Sequence, residues 1–217
     1  MKENYERWMD REIQRRQAQG ETPSLLLHSC CAPCSSAVLE SLARHFKITV
    51  FYYNPNIFPR KEYSHRVREQ KRFLSQFPPA ASVSFLEGAY QPERFFQIAK
   101  GLEQEPEGGA RCALCYELRL RQTAQLAKEM GFDYFTTTLS ISPYKDAEKL
   151  NAIGGRLSQE YGVDYLFSDF KKKGRYQRSI ALSREYSLYR QEFCGCPFSQ
   201  EEARRRKEES DGGKNGS

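Results

Sequence analysis

The sequence predicts an α/β fold, Rossmann-like, in three layers with a mostly parallel sheet in the middle. Two observations predict it. Short β-branched and aromatic segments alternate with helix-forming segments of more than about ten residues, which is the spacing of βαβ units. Two of the strands also run at their C-terminal ends straight into polar, chemistry-bearing loops, where open α/β sheets bind their ligands.

Each element follows in order. Ser24–His28 (SLLLH) is a short apolar strand leading into SCCAPCSS, whose Pro33 and serines start a helix expected to reach about Arg44. KITVFYY, from Lys47, is the second strand, and the prolines of NPNIFP close it with a loop. A charged helix is expected over Lys61–Gln76, a strand over Ser82–Leu86 and a helix over Pro92–Lys100, before the loop EQEPEGGA. Strong helix formers occupy Arg111–Met130. FDYFTTTLS is a strand opening into SPYKD; a helix at Ala147–Tyr161, a strand at Asp164–Phe167 and a helix at Arg175–Arg190 complete the order. The fold class is thus α/β, Rossmann-like (HUP-type). One catalytic domain is expected over residues 21–200, preceded by a helical N-terminal extension over 1–20. A polar tail over 201–217 is expected to be disordered from about Glu208.

Composition narrows the class of protein. With 39% hydrophobic and 29% charged residues in 217, the chain reads as globular and able to bury a full core. No apolar run is long enough to span a bilayer, and the charged start MKENYERWMD lacks the apolar core of a secretory signal, so a cytoplasmic location without membrane attachment is expected. Basic runs at Arg60–Arg72, Arg111–Arg121, Lys171–Arg178 and Arg204–Lys207 concentrate the net charge of +6, and the first and third carry tyrosines. That mixture suits phosphates and exposed bases, so RNA is a plausible partner, although solvated helix faces would give the same pattern.

The cysteines are more specific. All seven fall in three clusters: Cys30, Cys31 and Cys34; Cys112 and Cys115; Cys194 and Cys196. Thiols used only as core packing would scatter singly, whereas clusters let thiolates converge on a metal, an iron–sulfur cluster or a redox pair. Cys112 and Cys115 are one helical turn apart and can point at one metal. With Cys30 and Cys31 they form a four-thiol set suited to zinc or to a 4Fe–4S cluster. Cys194-Gly-Cys196 can form a small-ring, easily reduced disulfide, or supply ligands to a second metal. Cys34 is open between a core thiol, a ligand to an additional metal and a catalytic thiol. The first loop sits where a nucleotide-binding fold keeps its glycines; it has none, which disfavours phosphate binding there.

HSCCAPCSS, FYYNPNIFPRKEYSHR, RCALCYELRL, TTTLSISPYKD and FCGCPFS, in this order from about Leu25 to Ser199, together resemble the epoxyqueuosine reductase QueH family. The resemblance implies an iron–sulfur oxidoreductase that converts epoxyqueuosine at the wobble position of tRNA into queuosine, the last step of queuosine biosynthesis. It implies a 4Fe–4S cluster on Cys30, Cys31, Cys112 and Cys115, and a redox-active disulfide between Cys194 and Cys196. It also implies an adjacent mononuclear iron, for which Cys34 is the candidate ligand, and an external electron donor. Lys145 and Tyr144 of SPYKD are candidate proton donors, with ordinary helix-start residues as the alternative reading. Two other classes compete. A tRNA-thiolating enzyme of the pyrophosphatase-loop type shares the sheet but needs a Gly-rich ATP loop; a zinc-stabilised RNA-binding module leaves Cys34 and the CGC pair idle.

Overall fold

The computed structural model describes residues 4–212, with side chains as far as Glu209. Five strands, β1 (Ser24–His28), β2 (Lys47–Tyr52), β3 (Ser84–Glu87), β4 (Tyr134–Thr137) and β5 (Asp164–Tyr165), form one sheet in the order β3-β2-β1-β4-β5. Every pairing is parallel. The mostly parallel Rossmann-like sheet is therefore present, and in this molecule it is wholly parallel. Eight helices accompany it among the described residues: α1 (Tyr5–Ala18), α2 (Ala32–Leu42), α3 (Arg60–Gln76), α4 (Pro92–Ala99), α5 (Ala110–Met130), α6 (Ala147–Tyr161), α7 (Arg175–Glu185) and α8 (Pro197–Gly212).

The central strand explains the layering. Side chains alternate across a strand, so Leu25 and Leu27 enter one core with Val38, Leu42, Ile48, Val50 and Leu182. Leu26 enters the opposite core with Leu120, Ala124, Phe135, Leu150 and Tyr165. A strand covered on both faces needs apolar residues at every position, and LLL supplies them. On the second face α6 lies close: a Cβ at Gly154 would stand 2.3 Å from the Tyr165 ring, so only glycine lets this helix reach β5.

The chain leaves β1 for β2 and β3 on one side, then returns to β4 and β5 on the other. The crevice between the C-terminal ends of β1 and β4 is thus the topological switch point. His28 pairs in register with Thr137, so the cysteine loop after β1 and the TLSISPYKD loop after β4 emerge side by side.

Several elements end earlier than the pattern suggests. The fourth strand stops at Thr137, whose Oγ1 accepts the Leu139 N–H at 3.2 Å and turns Thr138–Ile141 into a 3₁₀ turn. The seventh helix stops at Glu185 rather than Arg190, because Ser187 takes a left-handed φ of 48° and reverses the chain. The expected disordered tail is instead helical as far as Gly212. Arg204 pairs with Glu201 and Glu208, Arg206 pairs with Glu202, and Glu202 also accepts the Glu107 N–H at 3.1 Å. Residues 213–217 of that tail lie outside the described residues. At the other end α1 is packed into the body: Met9 is in the core, and Glu6 receives a bidentate pair from Arg175 at 2.8 Å.

Candidate metal centre

Two adjoining groups of thiols gather at the switch point. The first comes from one loop. Cys31 is the N-cap of α2, with its Sγ accepting the Cys34 N–H at 3.4 Å. Cys30 Sγ lies 3.8 Å from Cys31 Sγ and 3.9 Å from Thr138 Oγ1. The sulfurs of Cys30, Cys31 and Cys34 all lie within 4.8 Å of one another, a group that could hold a metal ion. A single tetrahedral ion with metal–sulfur bonds of about 2.3 Å sets its sulfurs about 3.8 Å apart, close to the spacing of this trio. Charge is unevenly shared. Cys30 is raised to about 11 by its hydrogen bond to Cys31, and Cys34 is raised by its bonds to both neighbours. Burial opposes ionisation of Cys31, yet the thiol donors Cys30 and Cys34 hold it well below the usual value. The helix N-terminus favours the same thiolate.

The second group comes from distant segments. Cys112 and Cys115 on the first turns of α5, and Cys194 and Cys196 before α8, line one small cavity with Asn56, Phe95, Glu107, Arg111, Tyr116 and Ser199. Burial pushes Cys115 up to about 12 and also raises Cys196, while Ser199 N–H and Oγ sit 3.3 and 3.4 Å from the Cys196 sulfur. Cys194 also lines the larger, open cavity that contains Cys30 and Cys34, so the groups share a wall. Of the four thiols expected to act together, Cys30 and Cys31 lie in the first group and Cys112 and Cys115 in the second, with Cys112 also packed against the core cluster that includes Cys30 and Cys31. All seven are free thiols.

Around these sulfurs lie three buried guanidiniums, Arg66, Arg111 and Arg119. Arg119 gives Nη1 to Asn54 Oδ1 at 3.1 Å, while its Nε and Nη2 have no partner. Arg111 bonds the carbonyls of Leu102 and Glu103, stacks over Phe198 and leaves Nε unpaired. Asn56 and the Tyr116 hydroxyl are likewise buried without partners. A buried cation with only neutral partners is costly. Thiolate sulfur, as formed on binding a metal, would supply the missing charge: burial acts against the Arg119 cation, while Cys115, Cys194 and Cys30 act to hold it above its usual value. Thiols, buried cations and idle N–H and O–H donors together fit an anionic metal–sulfur group.

The proton-donor candidates separate. Lys145 is buried, with Nζ 2.6 Å from Glu107 Oε1. Burial opposes its charge, but Cys194, Tyr116 and Glu107 hold it above its usual value. Tyr144 is 68% exposed at the mouth of the open cavity. Glu107 was not singled out from the sequence, where it falls in a loop of glutamates and glycines. The buried arginines were legible in part: Arg111, Cys115 and Arg119 fall at intervals of four and share one face of α5.

Some cations of the basic runs are engaged within the protein. Arg66, inside the first run, is 2% exposed and bonds Glu62 at 2.7 Å and the Cys194 carbonyl at 3.1 Å. In the third run Lys173 pairs with Asp10, Arg175 with Glu6 and Arg178 with Glu40. Internal carboxylates already hold those charges.

Comparison with known proteins identifies the family. Residues 25–202 match the family model described as epoxyqueuosine reductase QueH. A protein of Staphylococcus epidermidis with that name is 43% identical over 200 residues, covering 90% of this chain and 84% of the relative. Its namesake in Streptococcus pyogenes is 43% identical over 198 residues, covering 90% and 78%. One in Thermotoga maritima is 35% identical over 179 residues, covering 81% and 90%. The thiols, the strand-end loops and the late CGC segment all lie within the matched span, and the chain belongs to the epoxyqueuosine reductase QueH family.

Proposed function

We infer that the protein, an oxidoreductase, removes the epoxide oxygen of epoxyqueuosine carried by tRNA and leaves queuosine. The balance is epoxide plus two electrons and two protons, giving alkene plus water. The observation that carries the reading is the gathering of seven thiols about two buried arginines, Arg111 and Arg119, whose hydrogen-bond partners are all neutral. Cys30, Cys31, Cys112 and Cys115 are the proposed ligands of a 4Fe–4S cluster and Cys34 of an adjacent iron; when bound, these would supply single electrons and a Lewis acid for the epoxide oxygen.

The chain's own groups do the rest. The open cavity, with Cys30, Cys34 and Cys194 on its wall, admits the modified base, and Tyr144 at its mouth offers a ring for an unstacked neighbour. Lys145, held as an ammonium by Glu107, is the proposed proton source for the departing oxygen. Arg66, bonded to the Cys194 carbonyl, holds the CGC segment beside the first thiol group. Cys194 and Cys196 are proposed to alternate between dithiol and disulfide, storing two electrons. No described helix is long and apolar enough to cross a membrane, and with tRNA as substrate the proposed location is the cytoplasm. The test is anaerobic incubation with tRNA carrying epoxyqueuosine and a low-potential reductant. Nucleoside mass analysis should find queuosine in proportion to bound iron. Absence of product from fully iron-loaded protein would reject the reading.

A further inference from the structure

The reaction consumes electrons that no residue of this chain can regenerate, and one surface patch lies directly outside the thiols. Phe58 is 42% exposed and Phe96 39% exposed, with their rings edge to face and centroids 5.6 Å apart. Both lead inward in one step. The Phe58 N–H donates to the Gly195 carbonyl at 3.0 Å, inside the Cys194-Gly-Cys196 segment. Phe96 contacts Phe95 at 5.7 Å between centroids, and Phe95 packs against Cys115 and Cys196. The patch is therefore one layer of side chains away from the second thiol group.

Its surroundings are cationic. Arg60 and Lys61 lie two and three residues after Phe58, and Lys100 four residues after Phe96; all three are exposed, as are the two acids nearest in these segments, Glu93 and Glu103. The open cavity assigned to the nucleoside is lined by other residues, among them Tyr144, Arg190 and Arg206. Cys194 belongs to both cavities and joins them.

We propose that the Phe58–Phe96 patch is the docking surface for a small, acidic, one-electron carrier protein. Two reduced carriers each pass one electron, and with two protons these convert the epoxide to alkene and water, leaving two oxidised carriers. Electron transfer slows steeply with distance, so a carrier gains by docking where a redox group lies just beneath the surface. Such encounters use small interfaces and complementary charge, which a pair of exposed phenylalanines flanked in sequence by exposed Arg60, Lys61 and Lys100 provides. An RNA loop fits less well. Rings at 82° to one another do not offer the successive parallel faces on which bases stack. The proposal rests on the reductase reading above, and it adds an entry point for electrons distinct from the substrate mouth.

The test uses the iron-loaded full chain, a reduced acidic plant-type ferredoxin as carrier, and dithionite with methyl viologen as a small reductant. Phe58→Ser/Phe96→Ser and, separately, Arg60→Glu/Lys100→Glu should each raise the ferredoxin concentration for half-maximal turnover at least tenfold. Direct ferredoxin binding should weaken by the same factor and fall with salt. Turnover with dithionite, tRNA affinity and melting temperature should stay at wild-type values. A drop in tRNA affinity with ferredoxin binding unchanged would make the patch an RNA surface and overturn the proposal, as would wild-type behaviour in every readout. Failure of the wild type with dithionite would instead reject the reductase reading, while the binding measurement still judges the patch.

Discussion

The two thiol groups are built in opposite ways. Cys30, Cys31 and Cys34 come from five consecutive residues at one strand end, and their sulfurs are gathered by the start of α2 alone. Cys112, Cys115, Cys194 and Cys196 come from segments about eighty residues apart, and they meet only because α5 and the chain before α8 pack around Phe95. The local group carries its own electrostatic help, a helix N-terminus and mutual thiol hydrogen bonds. The assembled group also begins at a helix N-terminus, that of α5, and adds buried arginines, Arg111 and Arg119 of the same helix and Arg66 of α3. A short loop can therefore be a binding site by itself, whereas the second group exists only in the folded protein.

The widest gap should appear on losing a single sulfur from the local group. Cys31→Ser is expected to abolish turnover and release most bound iron, since it removes both a proposed ligand and the lone stabilised thiolate of the trio. Iron analysis and visible absorbance check this, and a full iron load would refute the assignment.

Arg119 tests the assembled group. In Arg119→Leu the iron-loaded protein should lose about 3–5 kcal/mol of stability, because the anionic centre loses a buried cation. The metal-free protein should melt no lower than wild type, since there the same change removes a guanidinium with two unpaired nitrogens. Thermal melts of both forms decide it; equal destabilisation of the two would mean that Arg119 only packs.

Replacing both Cys194 and Cys196 by serine should keep the iron but slow turnover about 10²-fold, with the wild type showing reversible loss of two titratable thiols on oxidation. Loss of iron from the variant would make the pair ligands instead, and normal turnover would make it structural.

The smallest effect lies at the far edge of the sheet. Glu12 of α1 is held down to about 2, first by Arg15 and also by Tyr134 and Arg16, the tyrosine being the first residue of β4. Its carboxylate is lowered on folding. Its contribution is therefore complete above the unfolded value of about 4.3 and is lost as pH falls towards 2. With one partner well exposed, about 1–2 kcal/mol is expected. Denaturation of Glu12→Gln against wild type should differ at pH 6 and converge near pH 2; a constant difference would contradict the linkage.

How much the sequence disclosed follows the same division. The strands were legible because LLLH and KITVFYY have no other use for so many apolar and β-branched residues, and the local thiol group was legible because its residues are neighbours. Thr137 ends β4 through a side-chain hydrogen bond that periodicity does not register. Arg66 reads as one more cation in a solvated run, and only the fold turns it inward to the Cys194 carbonyl. The helix over 201–212 depends on Glu–Arg pairs and on Glu202 meeting Glu107, so composition alone suggested disorder.

The place of β1 in the sheet has a kinetic consequence. It is bonded on both sides, to β2 and β4, so its amides should be among the last to exchange with solvent, and the cysteine loop is rooted in the slowest-opening part of the molecule. The CGC segment lies between α7 and α8, outside the sheet, and its ties are the Arg66 bond to the Cys194 carbonyl, the Phe58 N–H bond to the Gly195 carbonyl and the burial of Cys196, none of which involves a strand residue. Local opening would then expose the late cysteines while the trio stays assembled. A protein stripped of iron by oxygen should accordingly be refilled from that side, within a fold that never comes apart.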